Sequence, residues 1–194
     1  MTLSELAHYA HSQEIQFIAK GSINQTNAPP WYASFADISV NTETGVITIN
    51  EMIGVHDVGT VINPDYVEGQ IHGGVLQGVG QALSEGLTFN KHNGQPYVHE
   101  LQNYLLPTST SRPPIRAFTV EEDEPFGPFG AKGLGETPCI AIPGAIVNAV
   151  CNALGIAPER IEVPLSPERV VNMIKQSETK FLETELQTEY SITK

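Results

Sequence analysis

The sequence predicts an α+β fold in which antiparallel hairpins pack against one glycine-rich helix and one apolar helix. Apolar residues recur at two-residue spacing over residues 33–40 and 46–55, which is typical of strands that bury one face. A helix-start signal at Asn63 precedes the glycine-rich run, and residues 139–154 form an apolar stretch with the length of a buried helix. With 194 residues, of which 40% are hydrophobic, the chain can bury a substantial core.

The first elements are a short helix and a hairpin. Thr2 or Ser4 can cap the helix. The two alternating segments that follow are separated by residues 41–45, whose length and Asn-Thr-Glu-Thr-Gly composition are those of a hairpin connection. The strands are therefore expected to pair antiparallel, and the second strand delivers His56 and Asp57 to a sheet edge or a loop.

A glycine-rich helix is expected next. Asn63 and Pro64 form an N-cap followed by a first-turn proline, and the helix should continue to about Ser84. Glycine in a helix interior costs about 1 kcal/mol relative to alanine, so the glycines of this helix need an explanation. They are Gly69, Gly73, Gly74, Gly78 and Gly80. Either another element packs closely on them, or Gly69 beside Gln70 leaves space for a bulky ligand to reach the backbone.

The second half of the chain alternates turns with short elements. Asn93 and Gly94 mark a tight turn that suggests a second hairpin, and prolines frame one more strand over residues 115–120. Residues 121–124 are acidic and are expected to form a solvated turn.

The C-terminal part is expected to hold two helices. Gly155 is a suitable C-cap for the apolar helix, and a last helix is expected from residue 166 to about residue 174. Cys139 and Cys151 lie about 18 Å apart along the apolar helix, so we expect small core residues and no disulfide.

Composition excludes several classes of function. The chain has 10 Lys and Arg against 22 Asp and Glu, a formal net charge of -12, so it has no basic surface for nucleic acid or for an anionic membrane. The first residues show neither a basic region nor a long apolar run, which predicts a cytoplasmic location. No spacing of histidines or carboxylates favours a metal site made of protein ligands.

The loop at residues 127–136 holds the carboxylate most suited to chemistry. Its glycines let a ligand approach the backbone, and Pro138 indicates that a helix begins just after Glu136. The positive end of a helix favours the ionised form of a carboxylate, which is the form a general base needs. The loop is no P-loop, because Ser or Thr does not follow Lys132, and it lacks the dinucleotide fingerprint. A surface glutamate that only caps a helix is the alternative.

Four motifs in this order resemble the molybdenum-binding subunit of the xanthine dehydrogenase and aldehyde oxidase family. The motifs are HDVGTVINP at residues 56–64, EGQIHGGVLQGVGQAL at 68–83, NYLLPT at 103–108 and GPFGAKGLGE at 127–136. The resemblance runs from about residue 33 to about residue 174 and covers only the C-terminal part of that subunit. It implies that residues 1–175 are a portion of a larger molybdopterin-binding domain and that residues 176–194 are a polar tail.

The resemblance also implies roles for individual residues. Glu136 matches the catalytic glutamate, the base that takes a proton from a molybdenum-bound hydroxide. Gln70 matches a glutamine that hydrogen-bonds the pterin, with Gly69 beside it leaving space for the cofactor. Leu134 and Gly135 match residues whose backbone lies against the molybdenum end of the pocket. His56 and His72 lie in these motifs and are expected to be hydrogen-bonded structural residues, not ligands.

The resemblance implies an enzyme that works only in an assembly. Its members carry molybdenum-molybdopterin and pass electrons to 2Fe-2S clusters and FAD, here expected on partner iron-sulfur and flavin subunits. The N-terminal portion of the molybdenum subunit is not found in the 194 residues. We therefore expect a piece of a split subunit, or a truncated reading frame, that shares the cofactor with the remaining segment. The substrate would be a small N-heterocycle or aldehyde, and a non-catalytic remnant or packing subunit is the alternative.

Overall fold

The computed structural model describes residues 2–18, 20–22, 28–158 and 161–177. Its elements are α1 (Leu3–Ser12), β1 (Tyr32–Val40), β2 (Ile47–Asp57), α2 (Pro64–Leu83), β3 (Ile115–Val120), α3 (Thr137–Ile140) and α4 (Ile142–Leu154). Residues 167–177 are also helical, so the last helix extends past residue 174 into the segment assigned to the tail. The rest of that tail, residues 178–194, lies outside the described residues. The α+β prediction is confirmed.

The sheet has three strands in the order β1-β2-β3. β1 and β2 pair antiparallel through the expected turn, where Gly45 adopts a φ of 74°. β3 pairs with β2 in parallel, from Met52 opposite Ile115 to Asp57 opposite Val120. A parallel neighbour requires a long crossover, and α2 lies on that crossover. The sheet is therefore mixed, which strand periodicity alone did not predict.

The second expected hairpin is a turn without strands. Gly94 adopts a φ of 69°, and the Asn90 backbone N–H donates to the Gln95 carbonyl at 2.8 Å, so the chain reverses as predicted. Pairing is limited to one isolated bridge between Phe89 and Pro96. The second bond of this bridge runs from the Tyr97 backbone N–H to the Thr88 carbonyl at 2.8 Å.

Side chains cap the first two helices as expected. Thr2 and Glu5 form a reciprocal capping box at α1. At α2, Asn63 Oδ1 accepts the Tyr66 backbone N–H at 3.2 Å, and Pro64 occupies the first turn. Capping at Asn63 fixes where α2 starts, and so fixes where Gln70 lies.

The apolar run after Glu136 forms two helices, not one. α3 has four residues and α4 begins at Ile142, with Ala141 at the junction. In a continuous helix the residue at position 143 would donate its N–H to the carbonyl of Cys139, and Pro143 has none to donate. By length and composition alone, Thr137–Leu154 is the one helical stretch among the described residues that could cross a membrane. The inward face of α4, with Ile142, Ile146 and Val150, is buried in the core.

One hydrophobic core lies between the sheet and the helices. α2 and α4 pack on each other and on the sheet, and the residues after α4 close the core. Both cysteines are free, with Cys151 in the buried part, where burial raises the pKa of its thiol. The buried core residues are Met52, Ile71, Val75, Val79, Ala82, Ile142, Ile146, Val150, Leu165 and Val170.

The glycines of α2 separate into two groups. A Cβ at Gly74 would lie 2.5 Å from Pro138 Cβ, and one at Gly78 would lie 2.5 Å from Ile142 Cβ. Gly80 is likewise closely packed, since a Cβ there would meet Pro107 at 2.8 Å. At Gly69 and Gly73, by contrast, no described atom lies within 4 Å of such a Cβ. Close packing inside the chain therefore explains three of these glycines and leaves the exposed two unexplained.

Candidate active site

The segment that follows β2 contacts the glycine-rich loop directly. The Thr60 N–H donates to the Gly130 carbonyl at 2.8 Å, and the Lys132 N–H donates to the Val58 carbonyl at 2.9 Å. Gly59 has a φ of 60°, and a Cβ there would overlap the Gly130 carbonyl oxygen, so only glycine permits this approach. These contacts join two motifs that are far apart in the sequence.

A buried ion pair holds the same two segments. Lys132 Nζ lies 2.5 Å from Asp57 Oδ2, and the two side chains are 8% and 7% exposed. Burial opposes ionisation of Asp57, but hydrogen bonds from Lys132 and from the Gly59 N–H, together with the lysine's charge, keep its pKa below the usual value. The hydrogen bond to Asp57 in turn raises the pKa of Lys132 against the opposing effect of burial. Both groups are therefore charged at neutral pH.

Glu124 belongs to this cluster as well. Its Oε2 lies 3.9 Å from Lys132 Nζ, and its side chain is 12% exposed. Its Oε1 accepts the Phe126 N–H at 3.1 Å, and Glu121 Oε2 accepts the Val61 N–H at 3.2 Å. Residues 121–123 are exposed, as predicted for a solvated acidic segment, and the prediction is wrong only for Glu124, which is largely buried in this cluster.

Gln70 is joined directly to the glycine-rich loop. Its Nε2 donates to the Gly135 carbonyl at 2.9 Å, across 65 positions of sequence. Gly69 precedes it on the exposed face of α2. The structure thus brings Gln70, Leu134 and Gly135 to one place, with Glu136 as the next residue.

Glu136 lies at the start of α3 with an exposed side chain. Its carbonyl accepts the Cys139 N–H at 3.0 Å, whereas no described residue pairs with its carboxylate. Lys132, the nearest lysine in sequence, is engaged by Asp57 instead. Since α3 has only four residues, the helix dipole that Glu136 experiences is weaker than the sequence suggested. The carboxylate is nevertheless unpaired and accessible, as a base must be.

A cleft of about 470 Å³ lies between the start of α2 and the loop. Gln70, Leu134 and Gly135 line it, whereas Gly69 and Glu136 lie beside it. The other lining residues are Val58, Thr60, Ile62, Asn63, Tyr66, Val67, Ala131 and Lys132. The mostly apolar wall with a few polar groups is typical of a cofactor or ligand site.

The backbone of the loop suits a large ligand rich in hydrogen-bond acceptors. No described atom lies within 4 Å of a Cβ built on Gly133 or Gly135. The N–H groups of Gly133, Leu134 and Gly135 donate to no acceptor in the part of the chain that the structure describes. Consecutive free N–H groups favour an oxygen-rich partner. A pterin-based cofactor therefore fits this wall of the cleft.

His56 lies in the core and not at the cleft. It is 1% exposed, stacks on Tyr32 with ring centroids 6.3 Å apart, and neither ring nitrogen has a hydrogen-bond partner among the described residues. The expectation of a hydrogen-bonded His56 is therefore wrong. His72 lies 3.9 Å from Glu68 on the surface of α2. Within the described ranges, no group of three or more His, Cys, Asp or Glu side chains could hold a metal ion.

The burial of His56 predicts a pH-dependent stability. Desolvation lowers its pKa below 6.5 in the folded protein, so the unfolded chain binds more protons and the free energy of unfolding falls as pH drops below that value. Thermal unfolding followed between neutral and acidic pH should show a steeper loss in the parent protein than in His56→Gln. If the melting temperature fell equally with pH in both proteins, the lowered pKa of His56 would not be the cause of the pH dependence.

Sequence reasoning missed the Asp57–Lys132 pair. Both residues lie in the quoted motifs, but they are 75 positions apart, and nothing local to either one indicates its partner. The available signal was a lysine within the glycine-rich run and an aspartate at the end of a predicted strand.

Comparison with known proteins relates this arrangement to molybdenum enzymes. A family model described as a molybdopterin cofactor-binding domain matches residues 1–113. The chain is 37% identical over 174 residues to the xanthine dehydrogenase molybdenum-binding subunit of Escherichia coli O157:H7, which covers 88% of the chain and 23% of that protein. It is 35% identical over 139 residues to the nicotine 6-hydroxylase large subunit of Paenarthrobacter nicotinovorans, covering 71% and 17%.

Solved structures of two related enzymes also match about three quarters of the chain. Quinoline 2-oxidoreductase from Pseudomonas putida 86 matches 72% of the chain with a TM-score of 0.67 and 37% identity. A Cu,Mo-CO dehydrogenase matches 76% with a TM-score of 0.71 and 28% identity. In each case the match covers 18% of the solved chain. The chain thus spans about a quarter or less of the length of the relatives that it matches.

Proposed function

Because the chain belongs to the family of molybdopterin cofactor-binding domains, we propose that it supplies the catalytic base and part of the cofactor cleft to a molybdenum hydroxylase. The observation that carries this proposal is the hydrogen bond of 2.9 Å from Gln70 to Gly135, which joins the expected pterin contact to the loop of the expected base. The relatives named for xanthine, nicotine and quinoline, together with an aldehyde oxidoreductase of Megalodesulfovibrio gigas that is 34% identical over 146 residues, support a substrate that is an N-heterocycle or an aldehyde.

In this proposal the residues of the cleft hold and orient the cofactor. Gln70 Oε1, which accepts no hydrogen bond from the described residues, would receive one from the pterin. The free N–H groups of Leu134 and Gly135 would face its molybdenum end, and the open backbone at Gly69 would admit it close to α2. When bound, molybdenum-molybdopterin supplies the redox chemistry of the hydroxylation.

Glu136 would act as the general base. Its carboxylate would accept the proton of the oxygen nucleophile as that oxygen attacks the electron-poor carbon of the substrate. A positioned base contributes roughly 10²- to 10⁴-fold to such a step. The loop suits this role, because Leu134 carries the only side chain among the three residues before Glu136 and the carboxylate stays accessible.

The active form would be an assembly. We propose that the remaining molybdenum-subunit segment completes the cofactor site, and that iron-sulfur and flavin subunits with 2Fe-2S clusters and FAD carry the electrons away. The cytoplasmic location remains a prediction. Co-purification of the chain with a longer polypeptide, together with molybdenum in the complex, would support this function. A metal-free chain that associates with no such polypeptide would support the alternative of a non-catalytic remnant.

Replacing Gln70 by alanine should weaken cofactor retention more than catalysis. The variant loses both the proposed pterin contact and the hydrogen bond to Gly135. We expect less molybdenum per purified complex and only a modest change in turnover per molybdenum bound. Metal analysis alongside activity measures both quantities.

Gln81→Ala is the matched control, because Gln81 is an exposed glutamine about three turns further along α2. It should retain the molybdenum content of the parent. If Gln70→Ala also retained full molybdenum content, Gln70 would not be a cofactor contact.

A further inference from the structure

We propose that the buried ion pair between Asp57 and Lys132 sets the position of Glu136, which makes both of them positioning residues for the reaction. This inference rests on the proposed function of Glu136. Lys132 also lines the cleft, but the inference concerns only the ion pair that its ammonium group forms with Asp57.

The ion pair of Asp57 and Lys132, called the anchor below, connects the loop to the end of β2. The two side chains are 7% and 8% exposed, and Nζ lies 2.5 Å from Oδ2. Asp57 Oδ1 accepts the Gly59 N–H at 3.1 Å, so the carboxylate is fixed at both oxygens. Buried pairs of this kind are screened by solvent far less than surface pairs. The loop residue Lys132 is thus fixed to the end of a sheet strand.

Lys132, the loop residue of the anchor, lies four residues before Glu136 in the sequence. Gly133, Leu134 and Gly135 separate the two, and glycine-rich backbone has much conformational freedom to lose. The segment therefore needs fixed points on both sides. On the far side, the Gly135 carbonyl accepts Gln70 Nε2, and Pro138 is buried against Gly74. On the near side, the fixed point is Lys132, through its side chain and its backbone N–H.

Variants can separate this role from a merely structural one. Lys132→Met leaves the buried Asp57 without its lysine, and Asp57→Asn leaves Lys132 with only the more distant Glu124 at 3.9 Å. Either single change is expected to destabilise the protein more than removal of both charges of the pair. The double variant Asp57→Asn with Lys132→Met removes both charges and should regain much of the lost thermal stability. It does not restore the link between β2 and the loop. In the double variant we therefore expect thermal stability to recover while kcat stays low and exchange in the loop stays fast.

The test is made on the assembled, cofactor-loaded enzyme with three readouts. These are thermal stability, hydrogen exchange of the backbone over residues 127–136, and kcat with KM and molybdenum content. We expect kcat to fall about 10²-fold in all three variants, as for a small misplacement of a catalytic group, with KM little changed. Exchange over residues 127–136 should be faster in all three, including the double variant that has regained stability.

Arg116→Met provides the matched control. Arg116 and Glu51 form an ion pair of the same 2.5 Å length on the same sheet, but their side chains are 56% and 31% exposed. This variant should keep the kcat and the loop exchange of the parent.

Two results would overturn the inference. In one, kcat returns with stability in the double variant, which would give the pair a structural role only. In the other, the three variants keep parental kcat and loop exchange. A failure of the proposed function is distinguishable, because Glu136→Gln would then retain full turnover, whereas loop exchange would still report on the anchor.

Discussion

Replacing Glu136 by glutamine should lower turnover per molybdenum by about 10²- to 10⁴-fold in the assembled enzyme. Glutamine has the size of glutamate but does not accept a proton at neutral pH. Since the Glu136 carboxylate pairs with no described residue, the substitution breaks no ion pair that holds the loop. Cofactor content and thermal stability should therefore stay near those of the parent, and the loss should fall on the chemical step.

Steady-state turnover divided by molybdenum content measures this effect. Glu43→Gln is the matched control, because Glu43 is an exposed glutamate in the turn between β1 and β2. It should leave turnover unchanged. Full turnover in Glu136→Gln with molybdenum retained would show that Glu136 is not the base.

Replacing Gly78 by alanine should destabilise the fold where α2 packs against α3 and α4. The new Cβ would lie 2.5 Å from Ile142 Cβ and 2.9 Å from the Cys139 carbonyl oxygen, both closer than atoms pack. Overpacking of this kind costs about 1–3 kcal/mol, against a gain of about 1 kcal/mol from helix propensity. We expect a lower melting temperature, because Ile142 is fully buried and its Cβ cannot move aside without moving the backbone of α4.

Gly73→Ala is the control within the same helix. Gly73 is exposed, and no described atom lies within 4 Å of the position that an alanine Cβ would take, so only the gain in helix propensity remains. Its melting temperature should equal or exceed that of the parent. Equal destabilisation by both substitutions would contradict the division of these glycines into packed and open groups.

Much of the fold could be predicted because its signals are local. The alternation in β1 and β2, the turn at Gly45 and the cap at Asn63 each depend on residues close in sequence, and the structure has all of them. The break at Ala141 was also encoded locally by Pro143, but the apolar run around it favoured one continuous helix.

Pairing between distant segments was not predictable in the same way. β3 was predicted as a strand, but its parallel pairing with β2 depends on the long crossover that contains α2. The pairing of Asp57 with Lys132 likewise depends on the fold that brings them together. In the sequence, Gly69 and Gly78 are both glycines inside a predicted helix. Only the packing shows that Gly78 lies against Ile142 whereas Gly69 has no described neighbour.

The position of the metal in the assembled enzyme tests the central claim most directly. Anomalous diffraction at the molybdenum edge, from crystals of the loaded complex, identifies the metal by its element and locates it in the structure. We predict a peak at the open side of Leu134 and Gly135, facing the Glu136 carboxylate, with Gln70 against the pterin. A peak away from this cleft, with Glu136 directed to bulk solvent, would contradict the account.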